Sequence, residues 1–212
     1  NYATTNTPVW TSSEVNHSAS NNVVTMSVAD LNRDGIPEVM NAGKIFNATN
    51  GQLLCKTAIE FTSATYFISI PLAEDIFRDG TIRFIQGNMI YKPNAALSSL
   101  TLEKTSAPTP STSDTDNPGG LALPNGGRVS LVDMDLDGQL DLVISTRSTS
   151  NTAYAFIYIA DPVTGDIKAS KVIPNASNSS YPFVGDIDGD GYPEIVFIKC
   201  VGGVANAATR KM

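Results

Sequence analysis

Residues 186–194 of this chain read DIDGDGYPE, which places four acidic side chains within nine residues. Two other segments, 30–38 (DLNRDGIPE) and 133–141 (DMDLDGQLD), share its pattern, D-x-[DN]-x-D-G-x-x-[DE]. Together the three segments hold 11 of the 21 acidic residues in a chain of 212. Like charges packed this closely repel each other, so the pattern indicates loops that are built around a cation.

The rest of the composition excludes several classes of protein. The net charge of −7 argues against nucleic acid or anionic membranes as partners, and no apolar run approaches the ~18 residues of a membrane-spanning helix. One histidine and two cysteines exclude zinc fingers and disulfide frameworks, and Cys55 and Cys200 are expected to be buried free thiols, with a disulfide as the alternative. Only 17% of the residues are charged. With abundant Ser, Thr and Asn, this favours a secreted or cell-surface protein.

A fourth, degenerate copy of the acidic pattern occupies residues 75–83 (DIFRDGTIR). The first aspartates of the four copies are separated by 45, 58 and 53 residues. A repeat of about fifty residues, flanked by strands and not by helices, is typical of a β-propeller or a similar β array.

Short runs rich in β-branched and aromatic residues surround each copy, and no sustained helical periodicity is present. The sequence therefore predicts an all-β protein, a single β-propeller domain over 1–212 with four-stranded blades. The approximate repeats are 16–60, 61–107, 121–174 and 175–212. The predicted strands are 22–29, 38–42, 44–49, 52–60, 66–73, 83–87, 89–93, 128–132, 140–146, 153–160, 166–174, 181–185 and 194–200.

Both ends of the chain bear on the number of blades. Residues 8–15 (PVWTSSEV) take the place of an outer strand, and we expect them to complete the last blade; an unrelated extension is the alternative. The last repeat lacks a predicted third strand. The chain is therefore interpreted as three blades plus part of a fourth, the N-terminal portion of a larger propeller, completed by a missing segment or by another chain. The alternative is a four-bladed ring in which residues 205–212 supply the missing strand.

Residues 105–120 are rich in Pro, Ser and Thr. Proline removes ladder hydrogen bonds and the polar side chains cannot form a core, so this segment predicts a mobile surface loop. It is either a functional excursion or a tolerated insertion.

The three intact copies offer the oxygen ligands that Ca²⁺ prefers, six to eight at about 2.3–2.6 Å. Side chains at positions 1, 3 and 5 converge where the glycine at position 6 turns the backbone, the carbonyl of position 7 adds a ligand, and the carboxylate of position 9 closes the shell. Magnesium, which prefers a small water-rich shell, fits less well, and the EF-hand is excluded because its closing Glu lies at position 12 between helices. About three Ca²⁺ sites are expected, with these ligands: Asp30, Asn32, Asp34, Ile36, Glu38; Asp133, Asp135, Asp137, Gln139, Asp141; Asp186, Asp188, Asp190, Tyr192, Glu194.

The copy at 75–83 departs from this pattern, because Phe77 stands at a ligand position and Arg83 replaces the closing carboxylate. No ion is expected there. Instead, Arg83 is predicted to supply the positive charge by pairing with Asp75 or Asp79.

The pattern D-x-[DN]-x-D-G-x-x-[DE] followed by a strand resembles the FG-GAP/VCBS repeat, the calcium-binding blade unit of integrin α-like β-propellers. The resemblance covers most of the chain, although the FG-GAP sequence itself is missing from every copy. It implies that the calcium loops lie between the first and second strands of each blade, on one rim of the propeller.

The expected function is a calcium-stabilised, extracellular, non-catalytic module for adhesion, binding or scaffolding, with a glycan or a surface protein as partner. Four tyrosines could stack on sugars: Tyr91, Tyr154, Tyr158 and Tyr181. One alternative is part of a carbohydrate-active enzyme similar to a polysaccharide lyase, and another is a subunit of a surface appendage or secretion assembly. An enzyme would need a paired acid and base among the acids outside the loops, which are Glu14, Glu60, Glu74, Glu103, Asp114, Asp116, Asp161 and Asp166.

Overall fold

The computed structural model describes residues 8–12, 26–59, 70–106, 126–147, 154–174, 178–179, 181–201 and 204–210. These residues form sixteen strands, β1 to β16, in four antiparallel sheets. The same residues include no helix, and so none with the length and hydropathy needed to cross a bilayer. The all-β prediction is therefore confirmed for the described part of the chain.

Sheets 1 and 2 are meanders in which each strand pairs with the next one along the chain. Sheet 1 has the order β1 (Met26–Ala29), β2 (Glu38–Asn41), β3 (Lys44–Asn47) and β4 (Leu53–Lys56). Sheet 2 has the order β5 (Leu72–Glu74), β6 (Arg83–Gln86), β7 (Met89–Pro93) and β8 (Leu100–Thr105). Of these strands, β8 was not among the segments predicted from the sequence.

Sheet 3 repeats the meander with longer strands, and sheet 4 varies it. Sheet 3 has the order β9 (Arg128–Val132), β10 (Asp141–Arg147), β11 (Tyr154–Ala160) and β12 (Ile167–Pro174). In sheet 4, the central strand β15 (Glu194–Val201) pairs along one edge with β13 (Asn178–Ser179) and β14 (Phe183–Gly185), and along the other edge with β16 (Val204–Arg210).

Strand β16 shows that the expected absence of a third strand in the last repeat was wrong. It pairs with β15 over seven residues, from Val201 opposite Val204 to Ile195 opposite Arg210. Residues 204–210 (VANAATR) contain few β-branched residues, so their composition alone does not predict a strand. Pairing depends on the backbone ladder, however, and a strand as apolar as β15 provides N–H and C=O groups that need partners.

Two other predictions are corrected near the ends of elements. Residues 8–12 form no strand; instead, the Trp10 indole N–H donates to the Ala48 carbonyl at 2.7 Å, and the ring lies against Gly51 in the turn between β3 and β4. Within the predicted mobile loop, Thr105 ends β8 and Ser106 is buried. Residues 13–15, 22–25, 66–69 and 107–120 of the predicted segments lie outside the described residues.

The core consists of three apolar layers, one between each pair of consecutive sheets. Met40 and Ile45 of sheet 1 pack with Phe84 and Tyr91 of sheet 2, Ile85 and Ile90 of sheet 2 pack with Ile144 and Tyr158 of sheet 3, and Val143 and Ile157 of sheet 3 pack with Ile195 and Phe197 of sheet 4. Alternate residues of one strand face opposite layers. The central strands of sheets 2 and 3, which are β6, β7, β10 and β11, are therefore buried on both faces, and β11 (YAFIYIA) has no charged residue.

Polar contacts join the beginnings of the sheets. The Ser27 hydroxyl in β1 donates to the Pro71 carbonyl just before β5, and the Ser130 hydroxyl in β9 donates to the Pro182 carbonyl just before β14, at 2.6 and 2.5 Å. The backbone N–H of Ile70 donates to the Tyr181 hydroxyl at 2.6 Å, although these residues precede sheets 2 and 4, which are not neighbours in the stack. Strands β5 of sheet 2 and β14 of sheet 4 therefore begin close to each other.

The Gly87→Ala variant tests the contact between sheet 2 and the segment that enters sheet 3. Gly87 has a φ of 59°, and a Cβ there would lie 2.4 Å from the backbone carbon of Gly126. We expect a loss of more than 2 kcal/mol, measured from the urea midpoint, because strain at positive φ adds to a backbone clash. The matched control is Gly80→Ala, at a φ of 85° with no atom within 4 Å of the added Cβ, which should lose only about 1 kcal/mol. Equal losses would contradict the contact.

Candidate metal centres

The four acidic segments form four loops with one backbone conformation. Loops 1 to 4 are residues 30–38, 75–83, 133–141 and 186–194. Loops 1 to 3 join the first and second strands of their sheets (β1–β2, β5–β6 and β9–β10), and loop 4 joins β14 to β15. In each loop the first aspartate accepts backbone N–H bonds from positions 5 and 6, at 2.7–3.1 Å. The aspartate at position 5 accepts the N–H of position 7, at 2.7–3.0 Å. The hydrogen bonds of the first and fifth residues therefore hold the loop in its conformation without a metal ion.

Two positions in each loop have left-handed backbone. Position 6 is always glycine, with φ between 85° and 91°. Position 4 also has positive φ, and its occupants are Arg33, Arg78, Leu136 and Gly189. Side chains other than glycine cost ~1–2 kcal/mol in this conformation. The sequence revealed the first of these positions through its glycine but not the second, because only loop 4 has glycine there.

The ninth residue of each loop begins the second strand and carries a charge, yet it is almost fully buried. The exposed fractions are 3% for Glu38, 2% for Arg83, 0% for Asp141 and 3% for Glu194. Each carboxylate accepts the backbone N–H of position 2 in its own loop, at 2.8–3.2 Å. Burial raises the pKa of Glu38, assisted by the charges of Asp34 and Asp30, and burial also raises the pKa of Asp141. A buried carboxylate of this kind favours a nearby cation.

The predicted ligands converge most clearly in loops 3 and 4. One oxygen from each of Asp133, Asp135 and Asp137 lies within 4.8 Å of the others, and Asp186, Asp188 and Glu194 form a second such group. In loop 1 the Asn32 amide donates to Asp34 at 2.9 Å. These donor sets consist of carboxylate and amide oxygens, so their chemistry fits Ca²⁺. Ligation by the carbonyls of Ile36, Gln139 and Tyr192 stays a prediction.

Loop 2 contains its own cation, as predicted. The Arg83 guanidinium binds both oxygens of Asp79, one of them at 2.7 Å, and lies 4.0 Å from Asp75. Its Nε donates to Glu103 at 3.0 Å, and its centre lies 4.6 Å from the centroid of the Phe77 ring. The hydrogen bonds from Arg83 hold the pKa of Asp79 well below its usual range. Phe77 therefore replaces a metal ligand with a stacking surface for the guanidinium.

Loop 3 contains a cation that the sequence analysis missed. The Lys168 ammonium, from β12, lies 2.8 Å from Asp135, 2.8 Å from Asp141 and 3.7 Å from Asp137. Burial lowers the pKa of Lys168, but its hydrogen bond to Asp135 and its ion pair with Asp141 outweigh this and raise the pKa overall. The hydrogen bond from Lys168 also lowers the pKa of Asp135. Lys168 is distant in sequence, and the only signal was its place three residues after the turn glycine Gly165.

Neighbouring loops touch one another. Arg33 of loop 1 lies 3.8 Å from Asp75 of loop 2, and the Gln139 side-chain amide of loop 3 donates to the Ile76 carbonyl of loop 2 at 2.6 Å. Loops 1, 2 and 3 therefore lie side by side at one edge of the stack.

The other candidate residues have structural roles where they are described. Tyr91 and Tyr158 are buried in the core, so the idea that they stack on sugars is wrong, and the Tyr181 ring lies 5.5 Å from the Arg128 guanidinium. Asp161 accepts backbone N–H bonds within its own turn. Cys55 is a buried free thiol, and its burial, with the charge of Glu38, raises its pKa to about 11. Glu14, Glu60, Asp114, Asp116 and the side chain of Cys200 lie outside the described residues.

Comparison with known proteins identifies one part of the chain. Residues 105–197, which include loops 3 and 4, match the family model described as an FG-GAP-like repeat. No curated protein sequence matches the chain. Among solved structures, the chain is similar to the Vibrio cholerae (V. cholerae) biofilm matrix protein Bap1, at 17% identity and a TM-score of 0.43, and to a structure of BBS1N in complex with ARL6DN, at 16% and 0.42. Each alignment covers 90% of this chain, which spans 37% and 59% of those two chains respectively.

The Arg83→Met variant tests the internal cation of loop 2. We expect a loss of about 2 kcal/mol in the free energy of unfolding, because Asp79 and Glu103 lose a buried counter-ion. The lowered pKa of Asp79 stabilises the wild-type protein above pH ~4, and this contribution is lost as the pH falls further. Urea unfolding between pH 7 and pH 3 should show that loss in the wild type and less of it in the variant.

Arg33→Met, which removes a more exposed and longer pair, should change stability by less than ~0.5 kcal/mol. Identical effects of the two variants would contradict the assignment.

Proposed function

We propose that the protein is a calcium-stabilised β-propeller that serves outside the cell as a non-catalytic binding or adhesion module. Its residues 105–197 match the family model described as an FG-GAP-like repeat. The observation that carries the proposal is the recurrence of one acidic loop between consecutive paired strands in all four sheets, in the same hydrogen-bonded conformation. A loop that only made the surface acidic would not need this repeated geometry.

Two features support the propeller. The four sheets pack face to face in chain order, as consecutive blades do. The contact between Ile70 and Tyr181 brings the beginnings of sheets 2 and 4 together although sheet 3 packs between them. Sheets that splay outward from converging first strands explain both observations.

Calcium would be held by the predicted ligands of loops 1, 3 and 4, and it would supply positive charge beside their carboxylates. Two carboxylates ~4 Å apart near a protein surface repel each other by up to ~4 kcal/mol. Extracellular calcium modules have dissociation constants of ~10⁻⁴–10⁻³ M. At millimolar calcium this corresponds to roughly 0.4–1.4 kcal/mol of stabilisation per site. Three sites would then supply a substantial share of an ordinary domain's stability.

The contacts of the acidic side chains support a binding role over the enzymatic alternative, which would need a paired acid and base. Most of the charged side chains discussed above neutralise or fold the loops, and in the described part of the chain Glu103 and Asp161 are engaged in an ion pair and a turn. The proposed partner is a glycan or a surface protein.

Thermal unfolding with and without calcium tests the proposed role of the ion. We expect the melting temperature to be higher by about 5 °C or more in 2 mM CaCl₂ than in EGTA, since a gain of 1 kcal/mol shifts the melting temperature of a domain this size by ~2–4 °C. MgCl₂ at the same concentration should give a smaller shift. A melting temperature that is the same in calcium and in EGTA would refute the proposal.

The Glu38→Gln variant gives effects of opposite sign in the two conditions. Burial raises the pKa of Glu38, so without calcium its charge destabilises the folded state increasingly as the pH rises above ~4.5, and the neutral amide should increase stability at pH 7. With calcium, the variant lacks a charged ligand and should gain less from the ion than the wild type does. Differential scanning fluorimetry in EGTA and in CaCl₂ measures both effects. Glu74→Gln, a half-buried acid outside the loops, should leave the calcium response unchanged.

A further inference from the structure

We propose that Lys168 is a built-in cation of loop 3 that competes with calcium for the loop's carboxylates, so that loop 3 takes calcium only when the lysine is displaced. In sheets 1, 2 and 3, the residue at the same place in the fourth strand then sets what neutralises that sheet's loop. This inference rests on the proposed function in so far as calcium is the competing ion. By the number of acids alone, loop 3 would be expected to bind calcium as well as loop 4 does, since each has four acids. A competing lysine would make loop 3 the weaker site.

The first observation is the position of the ammonium group. Lys168 Nζ is 2.8 Å from an oxygen of Asp135 at position 3 and 2.8 Å from an oxygen of Asp141 at position 9, with Asp137 at 3.7 Å. These are three of the five loop positions expected to bind the ion. One Asp141 oxygen accepts the Met134 N–H and the other faces the ammonium, so the buried carboxylate is directed at Lys168.

The second observation is that Lys168 occupies a β-bulge. In the pairing of β11 with β12, Ile159 is opposite Ala169 and Ala160 is opposite Ile167, which leaves Lys168 without a residue opposite. A bulged residue can direct its side chain away from the normal alternation of the strand. The bulge therefore explains how a residue on the outermost strand of the sheet reaches the loop.

The third observation is that the same bulge recurs in sheets 1 and 2 with different residues. The residue skipped in the register is Leu54 between β3 and β4, and Glu103 between β7 and β8. Glu103 binds Arg83, the ninth residue of loop 2, at 3.0 Å, just as Lys168 binds Asp141, the ninth residue of loop 3. The two pairs occupy equivalent places with the charges exchanged.

Sheet 1 supplies the contrast. Leu54 at the bulge has no charge, and within the described residues no ion pair to Asp30, Asp34 or Glu38 is found. Loop 1 therefore has a buried carboxylate without the internal cation that loops 2 and 3 possess. A lysine at the bulge gives a loop with an internal cation, and a leucine gives a loop that is open to a metal ion.

Lys168→Met and Lys168→Arg form the central experiment, since methionine keeps most of the apolar stem and arginine keeps the charge. Calcium binding to the whole chain is measured by isothermal titration calorimetry, and the melting temperature is measured in CaCl₂ and in EGTA. We expect Lys168→Met to bind one more calcium ion than the wild type, or to bind one ion about tenfold more tightly, a factor equivalent to ~1.4 kcal/mol. Its melting temperature should fall in EGTA and recover in calcium. Lys168→Arg should behave like the wild type.

The reciprocal variant is Leu54→Lys, which should remove one calcium ion from loop 1, with Leu54→Met as its uncharged control. Lys92→Met, an exposed lysine on β7, controls for the change in net charge and should leave calcium binding unchanged. Equal calcium responses in the wild type, Lys168→Met and Leu54→Lys would overturn the inference. A wild type that ignores calcium would refute the proposed function, while a response acquired by Lys168→Met would still support the role of Lys168.

Discussion

A charged side chain is buried at the start of the strand that follows each of the four loops, and the chemistry of the loops depends on it. Each of these residues is at least 97% buried, so leaving its charge without a partner would cost several kcal/mol. Each of the three carboxylates accepts a backbone N–H from its own loop, and this single hydrogen bond compensates only part of the cost of burying the charge. The remaining charge favours a nearby cation, which sheet 3 supplies as Lys168, whereas the equivalent residue of sheet 1 is the uncharged Leu54.

The same loop conformation therefore occurs with three different arrangements of charge. Loop 2 replaces the carboxylate with Arg83 and turns the aspartates into its partners. Loop 3 keeps the carboxylate and receives Lys168 from the fourth strand of its sheet. Loop 1 keeps the carboxylate opposite an apolar bulge residue. Because the hydrogen bonds of the first aspartate fold the loop in all cases, the neutralising group can change while the conformation stays the same.

Much of the fold could be predicted from local patterns. The strands β7 and β9 were predicted with the bounds that the structure has, and most of the others to within a few residues, because alternating or continuous apolar runs identify strands. The first aspartate, the glycine at position 6 and the pairing of Arg83 with Asp79 followed from spacing within nine residues. Strand β16 and the contact of Trp10 with Gly51 did not, because a backbone ladder and a packed indole depend on partners elsewhere in the chain.

The sequence by itself determined that the chain is all-β, that four acidic loops recur along it, and that loop 2 differs from the others. These features depend on neighbouring residues, whose chemistry and spacing are visible in one dimension. Only the tertiary structure decided that Lys168 and Glu103 reach the loops and that Leu54 takes the equivalent place in sheet 1, because the β-bulges that position them arise from pairing between strands. The distance between two charges in space determines which cation a carboxylate receives, and distance along the chain does not reveal it.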